Sequence, residues 1–132
     1  MTMTDSIADM LTRIRNASRA SIRRLDMPAS QLRKRIAEVL LENNFIRSVD
    51  YIEDDLQGLL RLRLKYTPEG KSVIKDIQRL SKPGLRKFMD KKDLIKGSRK
   101  PGMVVLSTSS GLMTSKEAIR RGIGGEAMFR IW

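Results

Sequence analysis

The chain has 132 residues, 40% of them hydrophobic, and a net charge of +12, which suits one modest domain or two small lobes burying roughly two-thirds of their unfolded surface. It has neither Cys nor His, which removes disulfides, thiol nucleophiles, the usual zinc sites and imidazole acid–base chemistry. No apolar run nears the ~20 residues that span a bilayer. The acidic start, with no basic residue before Arg13, is unlike a targeting peptide, so the expected location is the cytoplasm.

The charge is unevenly placed. Residues 1–70 carry a net +2 and residues 71–132 a net +10. Such a field favours a polyanion, because each neutralised phosphate releases condensed counterions.

In chain order, Ile7, Met10, Leu11 and Ile14 repeat at i, i+3, i+4 and i+7 and predict a first helix, capped by Thr4 or Ser6. A short strand is expected over Ser21–Asp26, with Met27-Pro28 as a break. Ser30 can cap a second helix whose apolar face is Leu32, Ile36, Val39 and Leu40, and Asn43-Asn44 can stop it. A hairpin follows: a strand over Phe45–Glu53, a turn at Asp54–Gly58, then Leu60, Leu62 and Leu64 alternating with Arg61, Arg63 and Lys65. Thr67–Gly70 marks a break between lobes.

The stretch Lys71–Leu80 fits a helix by spacing or a strand by its β-branched residues, and periodicity does not choose. Ser81–Gly84 reads as a turn, Leu85–Met89 as a short strand, and Lys91–Lys100, broken by Gly97, as an irregular basic connection. Met103–Leu106 is a continuous apolar run, short enough for a strand buried on both faces. Ser107–Gly111 is a polar loop. Thr114 and Glu117 have capping-box spacing for a short helix ended by Gly122. Gly124-Gly125 turns the chain into a last strand, Glu126–Trp132. The expected architecture is α+β with two small lobes: residues 1–66, of order α-β-α-β-β, and residues 67–132, mostly β with short helices.

The residues suited to chemistry are few. Ser107, Thr108, Ser109 and Ser110, followed by Gly111, place short hydroxyl groups beside a buried strand. There they could meet base edges, ribose hydroxyls and phosphates of an irregular RNA, or merely cap the next helix. Gly122–Glu126 is neither a P-loop nor a dinucleotide fingerprint, since no Lys-Ser/Thr pair follows and a strand comes next. A helix stop with a tight turn explains it, or a close approach of bare backbone to RNA. Asp54 and Asp55, or Glu126, could hold a divalent metal for a hydrolase or nuclease, but for Asp54-Asp55 a turn acid is the better reading. Aromatic residues make up only 5%, too few for a base-stacking platform. A general nucleic-acid-binding module is the other rival.

The stretch Pro101-Gly102-Met103-Val104-Val105-Leu106-Ser107-Thr108-Ser109-Ser110-Gly111-Leu112-Met113-Thr114, running on through Ala118 and Arg120, resembles the signature of the bacterial-type small-subunit ribosomal protein S-eight family. The opening Thr4–Ala17, the block Lys82-Pro83-Gly84-Leu85-Arg86 and the block Gly122-Ile123-Gly124-Gly125-Glu126 are similar to three further family segments. The resemblance spans the chain in order. It implies a non-enzymatic structural constituent of the small ribosomal subunit, with no cofactor, metal, membrane or small-molecule substrate. Its partners would be the central domain of small-subunit rRNA and neighbouring ribosomal proteins. The implied rRNA contacts are Ser107, Thr108, Ser109, Ser110 and Gly111, beside Gly124, Gly125 and Glu126, with Lys82 and Arg86 in their own block. Thr4, Asp5, Arg15 and Asn16 are the matching positions of the N-terminal helix. The resemblance also makes Lys71–Leu80 a strand. Two positions depart from many members: Phe88 stands where Tyr is common, and Ser110 where Lys is common.

Overall fold

The computed structural model describes residues 4–132, and side chains from Ser6 onward. It divides into two compact units, one spanning Asp5–Lys75 and the other beginning at Asp76.

The N-terminal unit opens with α1 (Thr4–Arg19), whose stripe Ile7, Met10, Leu11, Ile14 and Ala17 is buried. Ser6, a candidate cap, lies inside the helix instead. Its Oγ accepts from Arg33 Nε at 3.1 Å. Strand β1 runs over Arg24–Pro28, later than expected, because Ser21 takes a left-handed turn (φ +57°) after the helix. Met27 and Pro28 complete this strand rather than breaking the chain. β1 is an edge of the sheet order β1-β3-β2, where a terminal proline is tolerated.

Helix α2 (Gln31–Glu42) is capped by Ser30, whose side chain accepts from the Arg33 backbone N–H, and ends at Asn43. Arg33 itself is buried. It donates to Ser6 Oγ, Pro28 O and Asp9 Oδ2, tying α2 to α1 and to the end of β1. Strands β2 (Ile46–Ile52) and β3 (Leu59–Leu64) form the expected antiparallel hairpin. Asp54 Oδ1 accepts from the backbone N–H groups of Leu56 and Gly58, both at 2.8 Å. This is an Asx turn, which is what an aspartate in that place does best. Leu60, Leu62 and Leu64 point into the core. After β3 the chain folds back: Thr67 N–H donates to Lys71 O and Val73 N–H to Lys65 O. Residues 67–75 therefore hydrogen-bond within the N-terminal unit.

The C-terminal unit is built on a sheet of order β4-β8-β6-β7, with β5 also paired to β8. The ambiguous stretch 71–80 becomes a three-residue strand, β4 (Ile77–Arg79), and not a helix. Sheet hydrogen bonds claim its backbone: Asp76 exchanges both bonds with Trp132, and Leu80 N–H donates to Met128 O. Lys82 and Leu85 exchange backbone bonds around Pro83-Gly84, and β5 is Phe88–Met89.

The basic segment expected to be irregular is a helix, α3 (Lys91–Gly97), opened by a capping box in which Asp90 and Asp93 each accept the other's backbone N–H. Its single buried anchor, Leu94, replaces the apolar stripe that normally advertises a helix. Strand β6 (Met103–Thr108) carries Val104, Val105 and Leu106, all buried, as a strand covered on both faces requires. The polar loop expected at Ser107–Gly111 is shorter than that. Ser107 and Thr108 complete β6, Gly111 opens β7 (Gly111–Thr114), and only Ser109-Ser110 make the turn. Helix α4 (Ser115–Arg121) is capped by Thr114 and stopped by Gly122 at φ +71°. Strand β8 (Gly125–Ile131) closes the unit. Leu94, Val104, Leu106, Met113, Ala118 and Ala127 form one of its buried clusters.

Candidate nucleic-acid interface

The start of β8 lies between β6 and β5. Glu126 pairs with Ser107 on one side and with Phe88 on the other. Directly opposed residues of neighbouring strands present their side chains on the same face. Phe88, Glu126 and Ser107 therefore form one cross-strand row, contributed by three segments far apart in the chain.

The row is set by backbone packing. A Cβ on Gly125 would lie 2.4 Å from Ser107 O, and a Cβ on Gly124 would lie 2.3 Å from Met89 O. Only bare backbone lets the three strands approach this closely. A bulge between Val105 and Leu106 shifts the register of β6 against β8, and so fixes which β8 residue meets Ser107.

The row's polar groups are in different states. Glu126 is mostly buried, with its side chain 15% exposed. Ser81 Oγ donates to its Oε2, and Arg86 Nη1 lies 3.1 Å from the same oxygen. The carboxylate is thus oriented from the β5 side. Ser81 is 1% exposed, and its hydroxyl also accepts from the Lys87 backbone N–H at 3.3 Å. This serine positions Glu126, a role that its place as the first residue of a turn does not announce. The Thr108 hydroxyl is committed to the hairpin, donating to Gly111 O at 2.7 Å and accepting from Ser110 N–H at 3.1 Å. By contrast, Ser107 and Ser109 are exposed and their hydroxyls have no partner among the described residues. Phe88 is 72% exposed, a bare ring at the end of the row.

Lys82 and Arg86 flank the Ser81–Glu126 link and are exposed. On α4, Arg120 and Arg121 both hold Glu117, and those hydrogen bonds lower its pKa to about 2. Among the described residues no ion pair engages Lys82, Lys87, Lys91 or Lys96, and these charges are exposed. Arg15 and Asn16 sit on α1 in the N-terminal unit, the first half-buried and the second exposed. The side chains of Thr4 and Asp5 lie outside the described residues. Among the described residues no cluster of acidic side chains could hold a metal ion, and no helix is long and apolar enough to cross a membrane.

Fold and site together define a basic α+β protein with a preorganised polar row and a free hydroxyl turn. The family model of ribosomal protein S8 matches residues 5–132. The chain is also 49% identical, over the full length of both proteins, to the small ribosomal subunit protein uS8 of Streptococcus pneumoniae strains Hungary19A-6, CGSP14 and TIGR4. The chain belongs to the ribosomal protein S8 family, a family of ribosomal proteins and not of enzymes.

Proposed function

We propose that this chain is a structural constituent of the small ribosomal subunit that binds the central domain of small-subunit rRNA directly and supports subunit assembly. It works in the cytoplasm, within the ribosome, beside neighbouring ribosomal proteins. The observation that carries the reading is the row Phe88–Glu126–Ser107 with the free Ser109 hydroxyl next to it.

The mechanism has two parts. The outward lysines and arginines supply attraction and orientation that weaken with salt and carry no sequence information. The row reads local RNA geometry. Ser107 and Ser109 can donate to or accept from ribose hydroxyls and base edges. Glu126, a carboxylate acceptor already oriented by Ser81 and Arg86, suits an amino group of a base and disfavours phosphate. The exposed Phe88 ring offers a stacking surface without the hydroxyl a tyrosine would bring. Gly124 and Gly125 contribute by letting the strands close. Ser110 and Gly111 shape the turn, and Lys82 and Arg86 add charge at its flank. Thr4, Asp5, Arg15 and Asn16 would form a lesser contact on the N-terminal helix.

The test is a salt titration of binding to an irregular central-domain rRNA hairpin and to a fully paired RNA of equal length. Wild type should prefer the hairpin. The Ser107→Ala/Ser109→Ala variant should lose roughly 10- to 100-fold of that preference, about one net hydrogen bond's worth per serine, while keeping the salt slope. If wild type binds both RNAs alike, charge alone governs binding and the general nucleic-acid module is the better description.

A further inference from the structure

The N-terminal unit contains a cleft of about 390 Å³ lined by Ser21, Arg23, Arg47, Lys65, Tyr66 and Gly70, among others. Its size falls among ligand pockets of roughly 300–1,000 Å³. Among the described residues no acidic one lines it. Glu69, on the same turn as Gly70, is not part of the wall.

The three cations come from three different strand ends. Arg23 immediately precedes β1, and its carbonyl accepts from Leu64 N–H. Lys65 immediately follows β3. Arg47 is the extra residue of a bulge in β2, since Ile46 pairs with Leu64 but the next pair is Ser48 with Arg63. Bulges re-aim a side chain that a regular strand would point elsewhere. Among the described residues none of the three has a hydrogen-bonded or ionic partner from its side chain. Arg61 and Arg24 on the same sheet are, by contrast, paired with Asp26. The floor is fixed: Tyr66 Oη donates to Ile22 O at 2.5 Å, locking the turn that contains Ser21. Burial raises the Tyr66 pKa and the Arg23 charge opposes that rise.

We propose that this cleft is a further RNA site, apart from the row and from the contact on the N-terminal helix, one that takes a phosphate-bearing segment of single-stranded RNA backbone, with the three cations on phosphate and the Tyr66 edge beside the sugar. Three unpaired cations converging on a pre-formed polar cleft match a group of one or two negative charges. The proposal uses the RNA-binding reading only to identify the ligand. The site lies wholly in the N-terminal unit and does not involve the serine turn.

The experiment is an amide chemical-shift titration of the full-length protein at constant ionic strength. Four probes are used separately: a uridine tetranucleotide, uridine 5′-monophosphate, inorganic phosphate and a tetraglutamate peptide. The tetranucleotide should give saturable shifts at Ser21, Lys65, Tyr66 and Gly70, about tenfold tighter than the other three probes. The Arg23→Gln/Arg47→Gln/Lys65→Gln variant should lose about tenfold or more of that affinity and flatten its salt dependence by about one phosphate's worth. Arg47→Gln alone, at an exposed bulge, should lose several-fold and guards against a folding defect in the triple variant. Preference for the central-domain hairpin over paired RNA should be unchanged in both variants, which separates this site from the serine face. Absence of saturable shifts at these amides, or equal binding of the monophosphate, phosphate or peptide, overturns the proposal.

Discussion

Replacing Gly125 by Ala probes the link between strand packing and the reading row. The added Cβ would sit 2.4 Å from Ser107 O and 2.9 Å from Thr108 Cγ2, whereas ordinary contact begins at 3.4 Å. The obstacle is backbone, so β6 and β8 must separate by about 1 Å at this point. Forced overpacking costs about 1–3 kcal/mol. A 1 Å opening also lengthens one or two ladder hydrogen bonds past useful range, at about 0.5–1.5 kcal/mol each. The sum is a loss of about 1.5–6 kcal/mol, seen in urea as a midpoint roughly 1–3 M lower for a small domain. Gly84→Ala is the control, because nothing lies within 4 Å of its Cβ, and it should be near neutral. Because Ser107 is the displaced residue, whatever Gly125→Ala protein remains folded should also prefer the rRNA hairpin less. A variant within about 0.5 kcal/mol of wild type that reads RNA normally would refute the argument that this glycine sets the row.

Glu126→Ala should destabilise by about 1.5–3 kcal/mol, the value of a charge-assisted bond to a buried donor, because the Ser81 hydroxyl loses its acceptor; Glu126→Gln should recover most of that stability. Specific RNA binding should fall with Glu126→Ala more than with Lys87→Ala, and equal losses would remove Glu126 from the reading row. Arg33→Met should cost about 2–4 kcal/mol by thermal or urea unfolding, since it strands acceptors on Ser6, Pro28 and Asp9. Glu117 has a folded pKa of about 2, below its usual 4.5, because Arg120 and Arg121 hydrogen-bond to it. Its contribution is therefore fully present above pH ~4.5 and lost as pH falls toward 2. Glu117→Gln should flatten that part of the acid-unfolding curve, and high salt should shrink the difference. Thr108→Val should destabilise by about 1 kcal/mol by opening the hairpin turn, whereas Ser107→Ala should leave the unfolding midpoint unchanged.

The elements that announce themselves by periodicity were legible before the structure. The α1 stripe, the Leu60–Leu62–Leu64 alternation and the Val104–Leu106 run each repeat a burial pattern that local geometry imposes. The misread segments have physical reasons. Helix α3 offers one buried leucine and an Asp90–Asp93 capping pair hidden in a lysine-rich stretch, so charge obscured its start signal. Periodicity leaves the stretch 71–80 open between helix and strand; edge pairing with β8 supplies its backbone hydrogen bonds and decides for the strand that the family resemblance implies. Pro28 reads as a breaker only if the strand is central, and edge position cannot be inferred from five residues. The Ser81–Glu126 link joins residues 45 apart in sequence, which is why no local motif could reveal it. The same holds for the cleft cations Arg23, Arg47 and Lys65, each unremarkable until the sheet brings three strand ends together.

The division of labour within the hydroxyl cluster limits what the serine turn can accomplish alone. In the sequence, Ser107 to Ser110 look interchangeable. In the structure, the Thr108 hydroxyl is used inside the hairpin, where it also takes the Ser110 backbone N–H, whereas the hydroxyls of Ser107, Ser109 and Ser110 have no partner among the described residues. The Ser107 and Ser109 hydroxyls, at about 0.5–1.5 kcal/mol net per hydrogen bond, can together discriminate by roughly 5- to 150-fold. Any larger preference for one RNA must come from elsewhere. A rigid carboxylate that a phosphate cannot approach is one source, because it penalises wrong partners. The exposed Phe88 ring is another, because it needs an unpaired or splayed nucleotide to stack on. Both demand an irregular RNA, and neither is satisfied by a regular duplex. On the proposed reading, shape selection by this face would depend more on what Glu126 and Phe88 reject than on what the serines attract, and Phe88→Ala should lower hairpin preference at least as much as Ser107→Ala when the two are compared at the same salt.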